Sequence, residues 1–286
     1  MFSHIQNAVF VRTSSAPPPT ITGPVPHPTL RLASLLLLAC ACACVAPSRP
    51  TGIGPLVTDR PDFTESALTV PAGLVQVEAG ATASREEGVR TLSTGETLVR
   101  AGISRRVELR VTAASYAVER SAVARAQGLE DTGLGVKIAL RDGSPAPSLL
   151  GPTLALIAGT SLPTGADAFR SRRALPEAKL LAAWSITDRV GFASNANWAR
   201  AEDAGAAHDE WSGSGSIAVA LTERLGGYAE YFAFGERMAD WRRREYVNGG
   251  FTYLLHDDLQ LDVRAGVRVR DAGDGAFFGF GFSRRY

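Results

Sequence analysis

The sequence predicts an all-β fold, an antiparallel up-and-down transmembrane β-barrel of about twelve strands behind an N-terminal signal segment. Three observations predict it. From Leu259 to Arg270 every odd position is apolar and every even position is polar, charged or glycine, so an extended chain sorts the two sets onto opposite faces. The same alternation returns in segments of about ten residues, the length a tilted strand needs to cross the hydrocarbon layer. Between those segments short turns alternate with longer polar links, as they do in a chain that meanders through a membrane with its tight turns on one side.

Taken from the start, residues 1–30 are rich in Pro, Ser and Thr, include Pro17, Pro18 and Pro19, and show no periodicity. A disordered extension, or a start assigned upstream of the true one, is expected. Arg31 and the apolar run 35–46 then read as a secretory signal, because a spanning helix needs about 20 residues. Cleavage after Ala43 is the expectation, and Cys40 in Leu37-Leu38-Ala39-Cys40 is an alternative point of lipid attachment. The three cysteines, Cys40, Cys42 and Cys44, all fall in this run, so no disulfide or thiolate site is available after it. Residues 1–46 are thus extension plus signal, residues 47–73 a periplasmic lead-in or plug, and residues 74–286 the barrel.

In the first strand Val75, Val77, Ala79, Ala81 and Ala83 oppose Gln76, Glu78, Gly80, Thr82 and Ser84. Val99 and Ala101 then oppose Arg100 and Gly102; Val107, Leu109 and Val111 oppose Glu108, Arg110 and Thr112; Leu134, Val136 and Ile138 oppose Gly135 and Lys137. Weaker alternation marks 153–160, 178–186, 190–200, 214–222, 227–236 and 245–255. Short turns are expected at 104–106, 187–189, 222–224 and 256–258, with a Pro/Gly-rich one at 142–151. Longer links are expected at 85–95, 119–132, 161–176, 201–213 and 237–244, and a shorter one at 271–275. The last strand, 276–286, runs aromatic to Tyr286 and is expected to pair with the first, since a barrel can leave no edge in lipid. An even number of strands puts both termini on the periplasmic side. Trp198, Trp211, Tyr228, Trp241, Tyr246 and Tyr286, near strand ends, suit an interfacial aromatic girdle.

Composition alone does not separate this fold from a soluble one. A hydrophobic content of 45% and a mean hydropathy of +0.01 suit a barrel that is apolar outside and polar within, but also an ordinary globular chain. A soluble sandwich or lipocalin-like barrel would turn its apolar face inward. Repeated charge on the other face (Glu108 and Arg110; Asp262, Arg264 and Arg268) argues against that. The formal net charge of +1, without a Lys/Arg-rich face, excludes nucleic acid as a partner.

Two stretches carry a resemblance. Thr58-Asp59-Arg60-Pro61-Asp62-Phe63-Thr64-Glu65-Ser66, followed by Val70-Pro71-Ala72-Gly73-Leu74-Val75-Gln76-Val77-Glu78-Ala79-Gly80, resembles the opening of the outer-membrane transporter family named for the meta-cleavage pathway of phenol degradation. Gly159-Thr160-Ser161-Leu162-Pro163-Thr164-Gly165 resembles a second element of that family. The resemblance covers residues 56–286. It implies an outer-membrane barrel that serves transport, with hydrophobic or aromatic small molecules as the associated solutes; the Pro-rich extension departs from the pattern.

Transport needs a passage rather than a catalytic group. A barrel of about twelve strands is narrower than the open porins of 16–18, so passage is expected to be restrictive. Alternation nominates Glu78, Arg100, Glu108, Arg110, Lys137, Glu230, Asp262, Arg264 and Arg268 as lumen-lining residues, whose mixed sign predicts ion pairs across the lumen. Asp59, Arg60 and Asp62 are plug candidates at the periplasmic mouth, or a local turn set by Pro61. Arg242, Arg243 and Arg244 beside Trp241 are expected in an outside link, within reach of lipopolysaccharide phosphates. The other expected partners are outer-membrane lipids, a small hydrophobic solute, and the barrel assembly machinery through the strand ending at Tyr286. The alternatives are a lipase-like barrel hydrolase and a structural or adhesive barrel. For the hydrolase only His208 and His256 remain after the signal, neither in a nucleophile motif nor at metal-ligand spacing. No catalytic residue, cofactor or metal is expected.

Overall fold

The computed structural model describes residues 53–144, 147, 150–203, 205–235, 244–270 and 275–286. The extension, the signal, Cys40, Trp241, Arg242 and Arg243 lie outside the described residues. So does most of the 271–275 link.

Among the described residues there are fourteen strands. They are β1 (Val75–Glu86), β2 (Val89–Gly102), β3 (Val107–Ala113), β4 (Tyr116–Arg120), β5 (Arg125–Leu129), β6 (Thr132–Arg141), β7 (Thr153–Leu162), β8 (Leu175–Ser185), β9 (Val190–Asp203), β10 (Ala206–Ala220), β11 (Leu225–Gly235), β12 (Arg244–His256), β13 (Leu259–Arg268) and β14 (Ala276–Arg285). Every neighbouring pair is antiparallel, from β14 back through β6 to β3 and β2, and β1 joins both β14 and β2. The ladder therefore closes on itself. β3 and β4 pair with successive stretches of β2, and β6 and β5 pair with β3 and β4 in turn, so each of these two pairs forms one interrupted wall strand. Merging them gives a closed wall of twelve strands.

The alternation is realised inside out. Phe278, Phe280 and Phe282 are 54%, 57% and 42% exposed on the outer face, while Glu78, Glu108 and Lys137 are fully buried within. In water this arrangement would expose the greasy face and bury charge, both costly. In a bilayer the same arrangement is the stable one, because acyl chains solvate the outside and a closed ladder leaves no backbone group unpaired in hydrocarbon. The chain is a transmembrane barrel.

Three expectations are corrected. The polar links at 85–95 and 201–213 are for the most part strand: β1 and β2 are joined through Glu87 and Gly88 alone, and β9 pairs with β10 as far as Asp203↔Ala206. Much of 119–132 is likewise the β4–β5 ladder. Beyond the apolar belt both faces meet water, so polarity no longer alternates although the hydrogen bonds continue. The girdle assignment also changes. Trp198 and Trp211 are cross-strand neighbours on the outer face, but Tyr246 is fully buried inside and Tyr228 shares its inward phase with Glu230 and Phe232. Arg244 is not in an outside link: it begins β12 and reaches Glu210 inside the barrel at 3.0 Å.

Val263 lies in the outward row Phe251–Val263–Phe280, midway along β13. Val263→Arg is expected to destabilise the folded barrel by about 2–4 kcal/mol, the cost of a cation at mid-bilayer depth, measured by reversible urea unfolding in lipid vesicles. A neutral result would place that face in water.

Candidate functional site

The interior of the barrel is occupied by the chain itself. Residues 53–74 enter at the short-turn end, where Leu56 donates its N–H to the Asp257 carbonyl at 2.7 Å and Arg285 donates to the Gly54 carbonyl at 2.7 Å. They leave at the same end, where Gly73 donates to the Gly102 carbonyl at 2.8 Å, just before β1 begins. Gly102 permits this exit, since a Cβ there would collide with the carbonyl oxygens of Val70 and Pro71.

Asp59 is the hub. Its buried carboxylate is met by Arg110 at 2.6 Å, Lys137 at 2.9 Å and Arg100 at 3.5 Å, and it accepts the Ser66 N–H at 2.9 Å. Arg100 in turn bridges Glu78 and Glu108, both at 2.8 Å, and donates to the carbonyls of Val57 and Leu68 at 3.2 and 3.0 Å. Glu78 accepts the N–H groups of Asp59 and Arg60, and Glu108 accepts that of Val70. Wall side chains thus satisfy backbone groups that a segment without secondary structure would otherwise bury unpaired.

Arg60 lies between Glu96 and Asp262, 3.3 Å from each, and donates to the Phe280 carbonyl at 3.2 Å. Glycine makes the room. A Cβ on Gly281 would stand 2.6 Å from Arg60 Nε, and one on Gly80 would collide with the same guanidinium. Farther along, Glu230 accepts from the N–H groups of Phe63 and Thr64 at 2.9 and 2.6 Å, from Thr64 Oγ1 and from Asn248. Glu65 is held by Lys179 at 2.7 Å and Arg110 at 2.9 Å, and Arg264 donates to the Pro61 carbonyl at 2.9 Å. Asp62 is half-buried beside Ser216 and Glu230.

Two apolar patches lie among these polar contacts. Phe63 stacks on Phe232 with centroids 4.5 Å apart and meets Phe234 edge-on at 5.2 Å, and Phe232 stacks on Tyr246 at 5.0 Å. Ala67 packs with Ala155, Ile157 and Leu181.

Eight of the nine wall residues nominated from alternation converge on this segment: Glu78, Arg100, Glu108, Arg110 and Lys137 about Asp59, Asp262 and Arg264 about Arg60 and Pro61, and Glu230 about Phe63 and Thr64. Arg268 stands apart, pairing with Glu86 at 2.7 Å and Glu87 at 3.0 Å near the other end. The pairs run between wall and lead-in more than across an open lumen. Sequence reasoning missed Glu96 and Lys179. Glu96 fell between the link expected at 85–95 and the first residue assigned to the next strand, Val99, whereas Lys179 shares the phase of an assigned strand and could have been named. The inward aromatics carried no polar signal. His208, with Asp203 at 3.7 Å, and His256, the last residue of β12, lie at opposite ends of the barrel. Among the described residues no group of three His, Cys, Asp or Glu side chains is placed to hold a metal.

Arg100→Met strands Glu78 and Glu108 without their shared cation, and breaking a buried network from one side typically costs about 3–5 kcal/mol. A loss of that size is expected in urea unfolding. A loss under about 1 kcal/mol would mean that water already screens these carboxylates.

The model of one sequence family matches residues 58–286, from the first residues of the buried lead-in to the end of β14; its description is "Putative MetA-pathway of phenol degradation". No curated protein matches the chain. Among solved structures, the chain is similar to a KdgM porin (12% identity, TM-score 0.47, 72% of this chain and 98% of that one) and to the translocator domain of the autotransporter NalP from Neisseria meningitidis (10%, 0.43, 74% and 87%). It is also similar to the CymD monoaromatic hydrocarbon channel (9%, 0.39, 76% and 89%). Since the family model spans the inserted segment and the whole wall that holds it, this outer-membrane β-barrel belongs to the MetA-pathway phenol-degradation family.

Proposed function

We propose that the chain is a restrictive outer-membrane channel for small hydrophobic or aromatic molecules, its short-turn end facing the periplasm and its own residues 53–74 acting as a resident plug. One observation carries this reading: the inward charges of β1, β2, β3, β6 and β13 are directed at that segment. A barrel with only a structural task could fill its interior with wall side chains. Here a loop with both ends at one rim occupies it instead, and such a loop can leave without opening the wall. Once it moves, the two apolar patches, Phe232 with Tyr246 and Ile157 with Leu181, would offer greasy footholds between the inward charges Glu230 and Lys179. The family description and the hydrocarbon channel among the similar structures agree with this solute class.

The test is influx into liposomes carrying the full chain. Wild type is expected to pass small uncharged aromatics slowly and charged solutes of equal size more slowly still. The double variant Asp59→Asn/Glu65→Gln, which removes the two carboxylates that clamp the segment to Arg110, Lys137 and Lys179, is expected to raise flux several-fold. Absence of flux for every solute in both proteins would overturn transport; equal flux in both would overturn the plug.

A further inference from the structure

Four arginines stand in one cross-strand row. Arg85 on β1 pairs in register with Arg90 on β2, Arg90 with Arg120 on β4, and Arg120 with Arg125 on β5. Directly paired residues of antiparallel strands project from the same face, so all four side chains share one side of the sheet. That side is the outer one: Arg85 follows Ala83 in the outward phase of β1, and all four arginines are exposed. With neighbouring strands about 4.8 Å apart, the row extends over about 15 Å. Like charges directly opposite one another destabilise a sheet. Glu86 points inward to Arg268 and Tyr246, Glu87 pairs with Arg268, and Glu119 falls on the alternate face of β4. Arg125 donates to Gln127 at 2.9 Å.

The rows nearer the membrane are of opposite character. Leu92 pairs with Val118 directly beneath Arg90 and Arg120, and Tyr116 with Leu129 two residues farther down, Leu92, Tyr116 and Leu129 being exposed. The outer face is thus mainly apolar, interrupted by Gln127 and Thr94, up to a boundary above which it bears a band of guanidinium groups. This is the profile of a phosphorylated lipid, with acyl chains below and phosphates at the level of the arginines, whose planar forks suit bidentate phosphate contacts.

We propose that the row Arg85–Arg90–Arg120–Arg125 is a docking site for the phosphates of the outer-leaflet glycolipid, lipid A, whose acyl chains lie along Leu92, Val118, Tyr116 and Leu129. This rests on the membrane orientation proposed above but not on transport. A chain that bound the lipid and passed no solute would sink the channel and leave the site standing. The experiment measures binding of diphosphorylated lipid A, of the same lipid stripped of its phosphates, and of inorganic phosphate to the full chain in mild detergent. The phosphorylated lipid is expected to bind at least about tenfold more tightly than the stripped one, a difference of about 1.4 kcal/mol. Arg90→Gln/Arg120→Gln is expected to remove most of that preference while unfolding at higher temperature than wild type when no lipid is present, because the repulsion is relieved. Equal affinity for the two lipids, a preference unchanged in the variant, or displacement of the lipid by equimolar inorganic phosphate would each overturn the proposal. Should the double variant lose the heat-modifiable migration of a folded barrel, Arg120→Gln alone replaces it under the same criteria.

Discussion

Charge removed from water must be paired, and in this barrel the pairing is supplied by the chain's own lead-in. Asp59 is the point on which the arrangement turns. Without its carboxylate, Arg100, Arg110, Lys137 and Lys179 would face one another across a narrow interior with only Glu78, Glu108 and Glu65 to share among them. A buried cluster with excess cation is unstable by several kcal/mol per unpaired charge. The inserted segment is therefore a component of the interior electrostatics, and the wall charges serve it in return by accepting from and donating to its backbone.

Much of the wall was legible because a membrane imposes the sharpest form of period-two patterning. Where one face meets acyl chains and the other meets buried charge, as in β1, β3 and β13, alternation separates Val263 from Asp262 without ambiguity. Legibility failed where the physics changed. In the outer halves of β9 and β10 both faces are wet, so Asp203 and Asp209 sit in strands that polarity alone does not betray. In β11 and β12 the inward face is partly aromatic, and Phe232 or Tyr246 looks the same to a pattern whether its neighbour is a lipid or another ring.

The interior contacts were less legible than the wall. Alternation could place Glu78, Arg110 and Lys137 on the inner face, because that is a property of each strand alone. It could not say what they touch, because their partners lie on a segment with no period, and Asp59 is 78 residues from Lys137 in sequence. The inward glycines were equally silent. Gly80 and Gly281 look like gaps in the pattern until Arg60 is seen to fill the space they leave.

Both ends of the inserted loop emerge at the same rim, so it is not threaded through the ring. Traction on residue 53 would peel it out stepwise: first the bond from Arg285 to the Gly54 carbonyl, then that between Leu56 and Asp257, then the clasp of Arg100 on the Val57 carbonyl, then the Asp59 cluster, with no bond of the ladder broken. Resistance to such a pull would rise from single polar contacts at the rim to the Asp59 cluster, where several partners must be released together. A segment held this way would part first at the rim and last at its charged core, its covalent link to β1 keeping it at the mouth.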